Sequence, residues 1–278
     1  YSVTYTTSTG ICSQTSAQTV MVNPLDDATF ALTDYCEGSV NSATGIATSG
    51  GVFTFTAPAP TGGEIIDPGT GEITGGIAGT AYSVDYTTPG PDCPQSSTST
   101  VTVNPLDDAT FILTDYCEGS VNSATGIATS GGVFTFTAPA PTGGETIDPG
   151  TGEITGGIAG TAYSVDYTTP GPDCPQSSTS TVTVNPLDDA TFTLTDYCEG
   201  SPVAATVTGT IGGVFTFTAP APTGGEIIDP GTGEITGGIA GTAYSVTYTT
   251  STGICSQTSA QIVTVNPLPT PGPIWHNY

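Results

Sequence analysis

Tyr82-Ser83-Val84-Asp85-Tyr86 places apolar side chains at every second position and polar ones between them, the period of a half-buried β-strand. The same alternation runs through Thr29-Phe30-Ala31-Leu32-Thr33 and Phe53-Thr54-Phe55-Thr56 upstream, and through Thr100-Val101-Thr102-Val103 downstream. Between these runs lie chain breakers: Gly50-Gly51, Pro58-Ala59-Pro60-Thr61-Gly62-Gly63, Asp67-Pro68-Gly69-Thr70-Gly71 and Pro89-Gly90-Pro91. No window offers ten residues of helical periodicity, so the pattern is all strand and turn.

Outward from this stretch the sequence repeats. Val-Asn-Pro-Leu recurs with its Asn at 23, 104, 185 and 266, a period of 81 residues. Residues 24–104 and 105–185 differ only at Ala31/Ile112 and Ile65/Thr146. Residues 186–266 keep the frame but vary more. The variable site Ala31/Ile112/Thr193 falls on the outward phase of its run, which accounts for its tolerance. Residues 1–23 nearly duplicate 244–266 and read as the closing part of a preceding repeat; residues 267–278 align with 24–35 and open a further one. The expected organisation is therefore 24–104, 105–185 and 186–266 as complete domains between two partial ones. About seven short strands in 81 residues predict an all-β tandem array of small immunoglobulin-like, Greek-key β-sandwiches. A sandwich this short has a thin core and benefits from a covalent brace.

The 278 residues include 25 Asp plus Glu, one His and no Lys or Arg, for a net charge of −25. Nucleic-acid binding and attraction to an anionic membrane both need cations, so these partners are excluded. Lysine Schiff bases, P-loops and arginine clamps go with them. Ion pairing between side chains is open only to His276, so the repulsion among the acids is left to salt or bound metal. Against disorder stand 36% apolar residues and 12 Tyr. No run of eighteen apolar residues and no basic leader segment occurs, so neither a membrane span nor a signal peptide is expected. The missing initiator Met reads as a section of something longer.

Seven Cys stand at 12, 36, 93, 117, 174, 198 and 255. One disulfide per domain would pair Cys36 with Cys93, Cys117 with Cys174 and Cys198 with Cys255, all 57 apart, and leave Cys12 to a partner outside the chain. Pairing across the Asn-Pro-Leu junction gives spacings of 24 instead. The first is preferred, because such a bond forms while one domain folds alone and is worth about 4 kcal/mol of loop entropy. No CxxC is present to suggest zinc, and disulfides imply an oxidising, extracellular compartment.

The acids offer little chemistry. Asp26-Asp27, Asp107-Asp108 and Asp188-Asp189 follow the Pro of each junction, where they could hold Ca²⁺ with neighbouring carbonyls or serve as solvated caps on an edge strand. The spacing of a known calcium loop is absent. Asp67 to Glu72 reads as a hairpin turn in which the Asp67 side chain binds backbone amides. No complete repeat contains His, which excludes a Ser-His-Asp triad, and near-identical tandem copies build no cleft; no enzyme is expected and no cofactor is required, Ca²⁺ at the junctions being the one candidate. There is no Asn-x-Ser/Thr sequon and no Lys for an isopeptide crosslink.

The stretch Gly63-Glu64-Ile65-Ile66-Asp67-Pro68-Gly69-Thr70-Gly71-Glu72-Ile73-Thr74-Gly75, followed by Gly79-Thr80-Ala81-Tyr82-Ser83-Val84-Asp85-Tyr86 and Cys93, resembles the immunoglobulin-like repeats of giant Bacteroidota surface proteins. These include gliding-type adhesins and filamentous appendages exported by the type IX system. The resemblance implies a cell-surface location and a role in adhesion, motility or prey capture, with no catalytic residues. The expected function is a structural stalk or filament segment, its repeats joined by Asn-Pro without a flexible linker and each adding roughly 35–45 Å. Lateral packing into a multi-chain filament and contact with glycans or another cell through a distal tip are the expected partnerships. The alternative is an adhesive module that itself binds glycan or protein, for which the sequence offers few outward aromatics: Phe53, Phe55, Tyr82 and Tyr86 lie on core phases, and Trp275 is in the tail.

Overall fold

The computed structural model describes all residues except 9, 62, 91, 92, 143, 172, 224, 251, 252 and 274–278, so Trp275 and His276 lie outside the described residues. No α-helix occurs among the described residues, and the one helical turn is a 3-10 turn at Gly10–Cys12. No helix among the described residues is long and apolar enough to cross a membrane.

The strands are β1 (Ser2–Thr6), β2 (Thr15–Thr19), β3 (Tyr35–Cys36), β4 (Val52–Ala57), β5 (Ile65–Ile66), β6 (Ile73–Thr74), β7 (Ala81–Thr87) and β8 (Ser96–Asn104), and the pattern of β3 to β8 recurs in both later repeats. The first complete repeat builds a four-stranded sheet in the order β3-β8-β7-β4. Its centre is the β7–β8 hairpin, in register from Thr87↔Ser96 to Ala81↔Thr102. Alternation decides the faces: Tyr82, Val84, Tyr86, Val101 and Val103 are all buried to 1% exposure or less, while the Ser and Thr between them face out. Antiparallel β4 pairs Phe53 with Tyr86, and β3 joins the other edge in parallel, Tyr35 beside Val103 and Cys36 beside Asn104.

The opposing layer is made of shorter pieces. β5 and β6 pair through Ile66↔Ile73, and isolated bridges Asn41↔Ile73 and Ala31↔Thr44 extend them. The Thr29-Phe30-Ala31-Leu32-Thr33 run thus contributes a single bridge here, and a two-residue strand, Phe192–Thr193 paired with Thr206–Val207, in the third repeat. Its phase is as expected: Phe30 is buried and Ala31 and Ile112 are exposed. Both layers meet in one core, where the Phe30 ring stands edge-on to Phe53 at 5.3 Å and Phe53 packs on Tyr86 at 4.3 Å. This is the all-β, immunoglobulin-like sandwich architecture, repeated in tandem.

The β1–β2 hairpin corresponds in sequence to Ser245–Thr249 and Thr258–Ile262 but pairs with no further strand among the described residues. Its apolar face is consequently open: Tyr5 is 70% exposed where its counterpart Tyr248 is 0%. By compactness the chain falls into two units, Tyr1–Ala109 with Thr169–Gln176, and Thr110–Thr168 with Ser177–Tyr278. The division cuts the second repeat, because its Thr169–Gln176 segment is tied to the first unit.

Candidate functional site

What ties that segment is a disulfide. Cys36 bonds Cys174, with sulfurs 2.05 Å and Cα atoms 5.4 Å apart, and Cys117 bonds Cys255 with the same Cα spacing. Each bond joins cysteines 138 residues apart, taking the first cysteine of one repeat to the second cysteine of the next. The expected pairs Cys36–Cys93, Cys117–Cys174 and Cys198–Cys255 do not form; Cys12, Cys93 and Cys198 are free thiols. One disulfide per domain is therefore corrected to one disulfide across each of the joints Asn104-Pro105 and Asn185-Pro186.

The reason is the length of β8. Cys93 precedes this strand, and its carbonyl accepts a hydrogen bond from the Asp26 N–H at 3.4 Å. Cys36 lies beside Asn104, where the strand ends. Nine residues of strand put roughly 25–30 Å between the two ends, far beyond the ~7 Å of Cα separation a disulfide tolerates. The second cysteine of the following repeat sits where it is needed: the Cys174 sulfur is 3.8 Å from the Asn104 carbonyl oxygen, and the Asp107 N–H donates to the Cys174 carbonyl at 3.2 Å. Cys174 and Cys93 share a left-handed backbone, φ 61°, so this turn adopts one shape whether or not its sulfur is bonded. The Cys255 end repeats the contacts, with the sulfur 3.9 Å from the Asn185 oxygen and the Asp188 N–H bonded to the Cys255 carbonyl at 3.1 Å.

The junction acids sit at the turns that carry the second cysteine of each repeat, of which Cys174 and Cys255 are bonded and Cys93 is free. Asp27 Oδ1 accepts from the Thr29 N–H at 2.9 Å and from the Thr29 hydroxyl, which together hold its carboxyl below the usual range, the hydroxyl contributing more. Asp189 does the same with Thr191. Asp188 lines a shallow cavity of about 330 Å³ with Asn185, Pro186, Gly253, Ile254 and Cys255, and its Oδ2 is buried with no hydrogen-bond partner among the described residues. No group of three His, Cys, Asp or Glu side chains placed to hold a metal occurs among the described residues, at Asp26, Asp107 and Asp108 or elsewhere.

The turn at Asp67 has the predicted chemistry. Oδ1 accepts from Gly69 N–H at 2.9 Å and from Thr70 N–H and hydroxyl at 2.7 and 2.9 Å, and the Thr70 amide is the main cause of a lowered carboxyl pKa. Asp148 and Asp229 repeat it. Sequence reasoning missed a buried cluster around Glu64. Its Oε1 accepts from the Tyr82 hydroxyl and the Thr61 N–H, both at 3.0 Å, while Tyr35 donates to the Gly75 carbonyl at 2.8 Å. The available signal was a Glu held in all three repeats immediately before the apolar pair or its Thr-Ile variant. With this carboxylate fully enclosed by the fold, the cluster is a structural one.

No protein-family model matches the chain, and no curated protein matches it. Among solved structures, it is similar to a three-domain immunoglobulin fragment of titin, 10% identical, covering 90% of this chain and all of that one at a TM-score of 0.42. It is also similar to extracellular domains 3–5 of Drosophila OTK, 12% identical, covering 87% and 99% at 0.34. A SusE-like, surface-located polysaccharide-binding protein of Bacteroides thetaiotaomicron matches at 12% identity over 85% and 60% at 0.28. At these values the likenesses assign no activity, ligand or partner to this chain.

Proposed function

We propose that the chain is a segment of an extracellular structural stalk, a series of covalently stapled β-sandwiches that extends or bears load at a cell surface. One observation carries the reading: each disulfide straddles the Asn-Pro joint between consecutive repeats, where it resists their separation. The aromatic residues that would stack on sugars support it from the other side, since Phe53, Tyr82 and Tyr86 are consumed by the core. An oxidising exterior follows from the disulfides, and the sequence resemblance to the repeats of giant Bacteroidota surface proteins supports a setting in adhesion, gliding or prey capture. Lateral packing of such rods into a filament fits their Ser- and Thr-rich outer strands. No step of catalysis is part of this reading.

Electron microscopy of the native object tests it. Thin rods whose length grows by roughly 35–45 Å per repeat are expected, together with no saturable binding of the 278-residue chain on a glycan array. Compact particles that bind a defined glycan would replace the stalk with an adhesive module.

A further inference from the structure

We infer that Cys198 is a coupling thiol, reserved for the second cysteine of a further 81-residue repeat. The chain contains its own comparison. Cys36 and Cys117, the first cysteines of their repeats, both bond a partner 138 residues ahead. Cys198 holds the same position in the same backbone frame. Tyr197 and Cys198 pair in parallel with Val265 and Asn266, as Tyr35 and Cys36 do with Val103 and Asn104, and Tyr116 and Cys117 with Val184 and Asn185. The Glu199 N–H reaches the Asn266 carbonyl at 2.9 Å and the Ser201 N–H reaches the Cys198 carbonyl at 3.0 Å, matching the bonds of Glu37 and Ser39. What differs is the sulfur, which is exposed and unbonded.

The consequence is a pair of interleaved covalent ladders. The first runs through Cys36–Cys174, then 24 residues of chain to Cys198, then across the next bond; the second runs through Cys117–Cys255. Each ladder advances two repeats for every 24 residues of peptide, and a bond lost from one leaves the other continuous. Closing the new bond oxidises two thiols to one disulfide, and a low-molecular-weight disulfide such as oxidised glutathione takes the two electrons and leaves as two thiols. The inference builds on the stalk reading, but the bond is read by mass and the rod by microscopy, so either can fail alone.

The test is a chain in which residues 24–104 are repeated after Asn266, refolded in glutathione buffer beside the 278-residue chain. Lacking Lys and Arg, both are cut with an aspartate-specific protease, without reduction, after alkylation of free thiols. In the 278-residue chain Cys198 is alkylated. In the longer chain it is protected and recovered bonded to the cysteine 138 residues ahead, and Cys198→Ser leaves that cysteine alkylated while Cys36–Cys174 and Cys117–Cys255 persist. A second version repeating residues 186–266 guards against a fold failure peculiar to the first. Alkylated Cys198 in both versions, or Cys198 bonded to Cys93 or Cys255, overturns the inference, as does failure of the two existing bonds to form.

Discussion

A methyl group at Gly51 would lie 2.1 Å from the Thr87 carbonyl oxygen and 2.7 Å from the Tyr86 ring. Neither can yield, because the Tyr86 hydroxyl is fixed between the Gly51 N–H, from which it accepts at 3.0 Å, and the Thr48 carbonyl, to which it donates. Gly51→Ala is expected to cost about 1–3 kcal/mol or more through overpacking, whereas Gly90→Ala, which meets nothing within 4 Å, should fall within about 0.5 kcal/mol of the parent; urea unfolding of both separates the cases. The Asp67, Asp148 and Asp229 turns set an acid limit. Their folded pKa values are lowered by bonds from Thr and Gly amides, so the stability they supply is present above the unfolded value and is lost as pH falls through the folded one. Acid also relieves the repulsion of 25 carboxylates. The turn contribution is isolated as the difference between parent and the triple Asp→Asn variant, which should shrink below about pH 4. Tyr35, Tyr116 and Tyr197 set the opposite limit: burial raises their pKa first, with Tyr and Glu neighbours adding to it. Their contribution is full below the unfolded value near 10 and lost above it.

At the scale of elements, the thin layer formed by β5, β6 and the bridge at Asn41 depends on Ile73, which is 0% exposed, lies opposite Ile66 and exchanges both of its backbone hydrogen bonds with Asn41. Ile73→Ala should cost about 2–5 kcal/mol and split a cooperative thermal transition by melting one repeat early. Ile65→Thr should be neutral to about 0.5 kcal/mol, since Ile65 is 64% exposed and the second repeat already carries Thr146 there. The alternating runs around Tyr82 and Val101 were legible because a period of two maps directly onto the two faces of a sheet. The Phe30 run was legible in phase but not in extent. How much of it becomes strand depends on the partner strand brought opposite, and only in the third repeat does Thr206–Val207 provide a ladder.

For the whole molecule, the disulfides determine what can be drawn out under load. With both bonds intact the shortest covalent route comprises residues 1–36, 117–174 and 255–278, which is 118 of 278. Single-molecule stretching should therefore give a contour about 2.4-fold longer after reduction; equal lengths in both buffers would exclude the cross-joint pairing. Unrelieved charge makes a second expectation. Stability should rise with NaCl as repulsion is screened, and a larger rise with CaCl₂ than with NaCl of equal ionic strength would reveal cation sites at the junction acids.

The sequence by itself determined the class of structure, the period and the core phases, because alternation and turn chemistry act locally. It also restricted the cysteines to two positions per repeat. Which of them bond was decided by tertiary structure alone: a strand nine residues long carries the two cysteines of one repeat to opposite ends, and the parallel pairing of β3 with that strand's last residues then presents Cys36 to the repeat that follows. Loop entropy cannot make the choice, since it favours closing 57 residues over 138 by less than about 1 kcal/mol, while a gap of several strand residues forbids the shorter loop outright.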